Sequence, residues 1–266
     1  MRMTFFLRRV RPAFGALAML LLAGCSTVMA PPPSTKIEPA AALTAWADVL
    51  RHFVNDKGEV DFPALAAQRQ RLAPYLRHIA ETPLDSVTDP HARLAHMVNA
   101  YNALSMANVV DSGIPETHAG FNKVNFFVSR KMNVGGEDSS LYDFENYTIR
   151  PLARSLGLPE VHFALNCSAV SCPVLPRVPF TGANLRAELA REAKLFFAQV
   201  DNFRIDAATR EVWLSAILDF YTADFVPAHG HNLIAYANRH VVQPAPLDYA
   251  VRFTPYNWRV ANSARR

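Results

Sequence analysis

The chain has 266 residues, half of them hydrophobic, with 27 Lys and Arg against 23 Asp and Glu and a formal net charge of +4. The excess sits at the N-terminus, as Arg2, Arg8, Arg9 and Arg11. Without those four, basic and acidic residues are equal in number, which removes net charge as an argument for nucleic-acid binding. The remaining length suffices for one well-buried domain, and no later apolar run is long enough to span a bilayer.

The first thirty residues carry a positive segment, then the apolar run from Pro12 to Ala23, then Gly24 and Cys25. That order is a secretory signal, too short in its apolar part for a spanning helix. Leu22-Ala23-Gly24-Cys25 resembles the bacterial lipobox, whose cysteine becomes the acylated first residue of the processed chain. The resemblance implies a lipid anchor at Cys25, in contact with the membrane. By similarity to enterobacterial sorting, Ser26 implies passage to the outer membrane, facing the periplasm. Residues 1–24 are thus expected to be a signal peptide, 25–40 a Pro-rich tether, and 41–262 a single domain.

Trp46, Val49, Leu50 and Phe53 fall at i, i+3, i+4 and i+7, which predicts a helix starting near Pro39. Leu72, Tyr75, Leu76 and Ile79 repeat the pattern around Pro74. A long helix is predicted from Pro90 to Asp111, with Leu94, Met97, Val98, Tyr101, Leu104 and Val109 inward and Gly113 and Pro115 ending it. Val124 to Val128 and Lys131 to Val134 read as two strands, with a turn at Gly135-Gly136. Leu141 to Arg150 reads as a short helix, Val161 to Asn166 as a buried strand, and 167–182 as a proline-rich loop. A helix from Leu185 to Val200, a hairpin of 203–206 with 211–214, a helix from Leu233 to Val241 and a strand from Val251 to Thr254 complete the chain. Helices first and strands mostly later predict an α+β fold, a helical half packed on a mainly antiparallel sheet.

The segment His162-Phe-Ala-Leu-Asn-Cys167-Ser-Ala-Val-Ser-Cys172-Pro173 concentrates the reactive side chains. A histidine and two cysteines so close admit a thiol nucleophile with a histidine base, a metal site or a disulfide. Cys-x4-Cys without a second Cys/His pair is a weak zinc pattern, and neither a metal nor a cofactor is expected. The four-residue loop between the cysteines can bring their Cα atoms within the bridging range of about 5–6 Å. Two thiols with no other partner in an oxidising compartment are expected to pair. If 162–167 is extended, His162 and Cys167 point to opposite faces, and Cys172 is the freer partner for His162. Asn99 and Asn102 share one side of the long helix and need something polar opposite them, either a ligand or a loop to cap. Glu145 completes the cluster as a candidate orienting group. The aromatic stretches 221–225 and 255–258 read as structural anchors.

NAYNAL at 99–104, SLYDFEN at 140–146, HFALNCSAVSCP at 162–173, SAILDFYTADF at 215–225 and PYNW at 255–258 together resemble the family called domain of unknown function 547. The resemblance covers most of residues 45–260 and implies no settled activity. Asp219-Phe220 departs from the Trp expected beside the Tyr. NAYNALSMANVVDSGIP is more loosely similar to the nucleophile helix of transglutaminase-like and papain-like cysteine enzymes, but Asn99 stands at the nucleophile position. Two functional readings follow. One is an envelope protein that binds a partner protein or small molecule without catalysis. The other is a hydrolase or transferase acting on an envelope amide or thiol compound, with Cys172 as nucleophile, His162 as base, Glu145 orienting, and Asn99 and Asn102 as amide donors.

Overall fold

The computed structural model describes residues 28–29, 37–226 and 232–265. The segment expected to be a signal sequence, Cys25 and most of the expected tether lie outside the described residues. About 52% of the chain is helical, and two small sheets make the fold α+β.

A two-residue strand β1 (Val28–Met29) precedes helix α1 (Pro39–Phe53), which buries Trp46, Val49, Leu50 and Phe53 as its periodicity predicts. Helices α2 (Phe62–Ala67) and α3 (Ala73–Glu81) pack beside it, with the Asp61 side chain capping α2. Helix α4 (Pro90–Asp111) has the predicted bounds, and Asp89 caps it by accepting from the Ala92 N–H at 2.7 Å. From Leu94 to Val109 it is buried almost all round, so it is the central element rather than a surface helix.

A buried helix cannot leave its polar side chains unpaired. Asn99, Asn102, Ser105 and Asn108 recur every three residues on α4, and each holds an irregular segment. Asn99 donates to the Phe180 carbonyl at 2.7 Å and accepts from the Phe180 N–H at 3.0 Å. Asn102 donates to the Ala164 carbonyl at 2.9 Å and accepts from the Asn166 N–H at 2.8 Å. Ser105 meets the Ser168 hydroxyl, and Asn108 donates to the Phe126 carbonyl. The stripe fixes three segments, around Phe126, Ala164–Ser168 and Phe180, against one rigid axis.

The expected strand at Val124–Val128 is helical: a single turn α5 (Phe121–Val124) runs into a π-helical turn, Asn125–Ser129. Its alternation misleads because Phe126 is the only side chain of α5 and this turn that is buried. Strand β2 (Lys131–Val134) instead pairs with the polar β3 (Glu137–Ser140), through a turn in which Gly135 and Gly136 both have positive φ. β1 pairs with β2 in parallel. Helix α6 (Leu141–Asp143), a π-helical turn (Phe144–Ile149) and α7 (Arg150–Ser155) then form one helical run, started by the Ser140 side chain.

The expected buried strand at Val161–Asn166 is a 3₁₀ turn, Pro159–Phe163, followed by a stretch that joins no sheet. All six residues are buried, and burial on every side erases the periodicity that separates strand from helix. The inference that His162 and Cys167 face oppositely therefore loses its basis. Helix α8 (Leu185–Phe197) leads to a second sheet of β4 (Phe203–Asp206), β5 (Glu211–Ser215) and β6 (Ala250–Thr254). In it β4 and β5 are antiparallel and β6 joins β5 in parallel. Each sheet thus holds one antiparallel and one parallel pair, where a mainly antiparallel sheet was expected. Three short helices, α9 (Ala216–Phe220), α10 (Thr222–Phe225) and α11 (Leu233–Ala237), stand between β5 and β6. Phe163, Phe196, Phe197, Phe225 and Tyr236 form an aromatic core there.

Candidate functional site

The two cysteines sit on a loop clamped at both ends by one side chain. Asn166 accepts from the Ser168 N–H at 2.7 Å and donates to the Pro173 carbonyl at 2.7 Å. Ser168 has a φ of 64°, a left-handed conformation rare for a residue with a side chain, and the chain doubles back there. The segment after β6 fastens the loop from outside. Val170 N–H donates to the Arg259 carbonyl, Ala261 N–H to the Ser168 carbonyl, and Ser171 N–H to the Asn257 carbonyl. That lacing carries Tyr256 and Trp258 onto the site.

Both thiols are free, so the expected disulfide is not formed in this structure. The sulfurs lie 2.7 Å apart as a hydrogen-bonded pair. Cys172 Sγ also accepts from the Cys167 N–H at 3.1 Å and meets the Tyr256 hydroxyl at 3.2 Å. Burial opposes a thiolate at Cys172, but hydrogen bonds from the Cys167 thiol, Tyr256 and nearby backbone amides outweigh it and lower its pKa. Cys167 moves the other way, well above an ordinary thiol, because of its bond to Cys172 and its burial. Burial also raises Tyr256, which keeps its proton and donates.

Beside the thiols the π-helical turn presents Glu145, bonded by two tyrosines. Tyr101 of α4 donates to one carboxylate oxygen at 2.8 Å and Tyr221 to the other. Burial, with the Glu145 charge added, pushes both phenols above their ordinary range, so they remain donors.

His162 has its partner on the opposite side. Its Nε2 lies 2.8 Å from Asp224 Oδ2, which also accepts from Arg150 Nε at 2.7 Å, while Oδ1 accepts from Arg154 at 2.6 Å. Burial disfavours the Asp224 charge, but the bonds from His162, Arg150 and Arg154 hold it well below the ordinary carboxylate range. Facing an ionised Asp224, Nε2 is the proton-bearing nitrogen of the His162 ring. The ring stacks on Tyr221 at 4.2 Å.

These groups share the wall of an open cavity of about 550 Å³, lined by Glu145, Arg150, His162, Cys167, Cys172, Tyr221 and Tyr256. Lys123, Tyr142, Phe220 and Trp258 stand around it, the Lys123 ammonium 4.1 Å from the Trp258 ring. The structure thus brings together Glu145, His162 and Cys172. It does not join His162 to Cys172 by a hydrogen bond, and Asn99 and Asn102 do not line the cavity. Both amides hold backbone, which is the loop-capping role rather than the ligand role. Tyr101, Arg150, Tyr221, Asp224 and Tyr256 complete the site, and sequence patterning gives them only packing roles. The one available signal is Asp224, a lone acid between Ala223 and Phe225. Among the described residues no group of three or more His, Cys, Asp or Glu side chains is arranged to hold a metal.

The segment carrying most of these residues also matches a known family. Residues 84–197 match the model of the family described as Protein of unknown function, DUF547. A DUF547 domain is therefore present in this chain. The matched stretch includes Tyr101, Glu145, His162, Cys167 and Cys172, while Tyr221, Asp224 and Tyr256 come from the chain beyond it. No curated protein and no solved structure matches the chain.

Proposed function

We propose that this chain is a lipid-anchored protein of the bacterial envelope, held through Cys25 and facing the periplasm, whose folded part binds a small molecule and acts on it through the Cys172 thiolate. The observation that carries the reading is a free Cys172 whose sulfur is met by the Cys167 N–H, the Cys167 thiol and the Tyr256 hydroxyl, opening on a cavity of about 550 Å³. A cavity of that size suits a small ligand, and the thiolate is the nucleophilic form of cysteine. Activation comes from Tyr256, Cys167 and backbone amides, not from His162. His162, oriented by Asp224, lines the same cavity, where it is placed to contact a bound compound. The likeness to transglutaminase-like enzymes puts the nucleophile at Asn99, which is inside the core, so in this chain the chemistry falls to Cys172.

The test is iodoacetamide treatment of the reduced full-length chain, followed by peptide mapping. Cys172 should label before Cys167; labelling of Cys167 first, or of neither, contradicts the reading. For the anchor, Cys25→Ser should move the protein from the membrane fraction to the soluble one. A protein that stays on the membrane removes the lipid assignment.

Non-catalytic binding of an envelope partner has one observation in its favour. Val124, Val128, Tyr142 and Phe220 are exposed at the cavity, with Phe121 and Tyr147 exposed on the same helical runs. In that reading Cys172→Ser leaves function in the cell intact.

A further inference from the structure

We propose that Cys167 and Cys172 act together as a dithiol that reduces a disulfide compound bound in the cavity. The inference rests on the reading of Cys172 as the reactive thiolate and names the substrate class for it.

A lone nucleophilic cysteine does not require a second thiol at its back. Here the second thiol lies 2.7 Å away, within a loop whose two ends are both held by Asn166. Covalent S–S contact is about 2.05 Å, so the two sulfurs, 2.7 Å apart, need less than an ångström of closure to bond. The two positions are unequal in access. Cys172 is half-buried and Cys167 is buried behind it, and both border the cavity. That is the disposition of an attacking and a resolving thiol.

The Cys172 thiolate attacks one sulfur of the bound disulfide. That S–S bond breaks, the first fragment leaves as a thiolate and takes a proton from water, and Cys172 is held in a mixed disulfide. Cys172 is then no longer a free thiolate, so the Cys167 thiol loses the hydrogen bond to it that is the first cause of its raised pKa. Cys167 now releases its proton to water and attacks the Cys172 sulfur. The mixed bond breaks, the second fragment leaves as a thiol, and the Cys167–Cys172 bond forms. Two electrons pass from the protein dithiol to the substrate disulfide, giving two small thiols. An external dithiol reductant, by the same exchange, returns the pair to its starting state. Among the charged groups on the cavity wall, Arg150 is paired with Asp224 and Glu145 is held by two tyrosines, so Lys123 at the rim is what favours a disulfide bearing carboxylates over one bearing amines.

The reduced full-length chain carrying Cys25→Ser, freed of reductant, is mixed with oxidised glutathione and followed by intact mass and release of thiol, with all further variants made in that background. Two thiols per chain should appear, with the protein ending as an internal disulfide and carrying no adduct. Cys167→Ser should trap one glutathione on Cys172, and Cys172→Ser should release nothing. Cys167→Ala serves as a second resolving-thiol variant, and cystamine, a cationic disulfide, should react several-fold more slowly than glutathione disulfide. A wild-type protein that keeps the glutathione adduct, or that matches Cys167→Ser, overturns the dithiol assignment. If Cys172 of the reduced wild-type protein, before any glutathione is added, labels with iodoacetamide, the thiolate reading survives and only the dithiol fails. If Cys172 reacts with neither reagent, both fail.

Discussion

Replacing Asp224 with Asn tests the frame that holds His162. Asp224 is 7% exposed in its side chain and accepts three charged or ring donors at 2.6–2.8 Å. An amide keeps the shape but removes the charge, and it turns one acceptor into a donor facing a guanidinium. Arg154 is 62% exposed and turns to water at little cost, so its share is small. Arg150, at 17%, and His162, at 2%, cannot. A hydrogen bond to a charged group contributes roughly 1.5–3 kcal/mol, and breaking a buried pair from one side costs about 3–5 kcal/mol. Partial exposure of Arg150 brings the expected loss to about 3 kcal/mol, or a fall in Tm of about 6–12 °C for a domain of this size. The carboxylate's folded pKa is depressed, so its contribution is present above the unfolded value and lost as pH falls through the folded one. The wild-type advantage should therefore be constant from pH 5 to 8, about the range where both forms are ionised, and shrink only in strong acid. The assay is thermal and urea unfolding of both proteins at several pH values, with Cys172 alkylation as the control. Asp224 has no hydrogen bond to Cys172, so the alkylation rate should hold within about twofold. A loss below about 1 kcal/mol, or a folded variant with an inert Cys172, refutes the reasoning.

Asn102→Leu leaves the Ala164 carbonyl and the Asn166 N–H buried without partners, and should cost about 2–4 kcal/mol by urea unfolding. Tyr256→Phe removes a donor 3.2 Å from Cys172, so its alkylation near neutral pH should slow several-fold, with the pH–rate curve moved upward. Burial lowers His96, His118 and His240 from 6.5 to about 4. Their neutral forms stabilise the fold above pH 6.5, and melts should show stability falling between pH 6.5 and 4. Burial raises Glu192 from 4.5 to about 7, so what it contributes below pH 4.5 is lost as pH rises through 7. Glu192→Gln should therefore raise Tm at about pH 8, by up to a few kcal/mol in stability, and leave it unchanged near pH 4.

Much of the fold is legible in the sequence where one residue pattern has one physical solution. Helix α4 is bounded by Asp89-Pro90 and Gly113, and its interior periodicity is unbroken, so its bounds agree to the residue. The Gly135-Gly136 turn is equally readable, although the strand it pairs with β2 is the polar Glu137–Ser140 and not the apolar Val124–Val128. Val161–Asn166 fails because complete burial leaves no exposed face to set a period. The site is harder still. His162 and the two cysteines stand out as adjacent reactive residues, and Glu145 joins them, but Tyr256 lies 84 residues from Cys172 and Asp224 62 from His162. Only the lacing of 257–261 against 168–171 brings Tyr256 there, and no local period encodes it. Asn99 and Asn102 are legible as residues needing a polar partner. That the partner is backbone follows only from the loops folded over α4.

The most direct test of the account is the pH–rate profile of iodoacetamide alkylation at Cys172, measured on reduced full-length protein, with Cys172→Ser supplying the background. The account predicts a site that titrates below an ordinary thiol and retains its rate under mildly acidic conditions, while Cys167 stays unlabelled. A profile that titrates at or above an ordinary thiol, or equal labelling of the two cysteines, would contradict it.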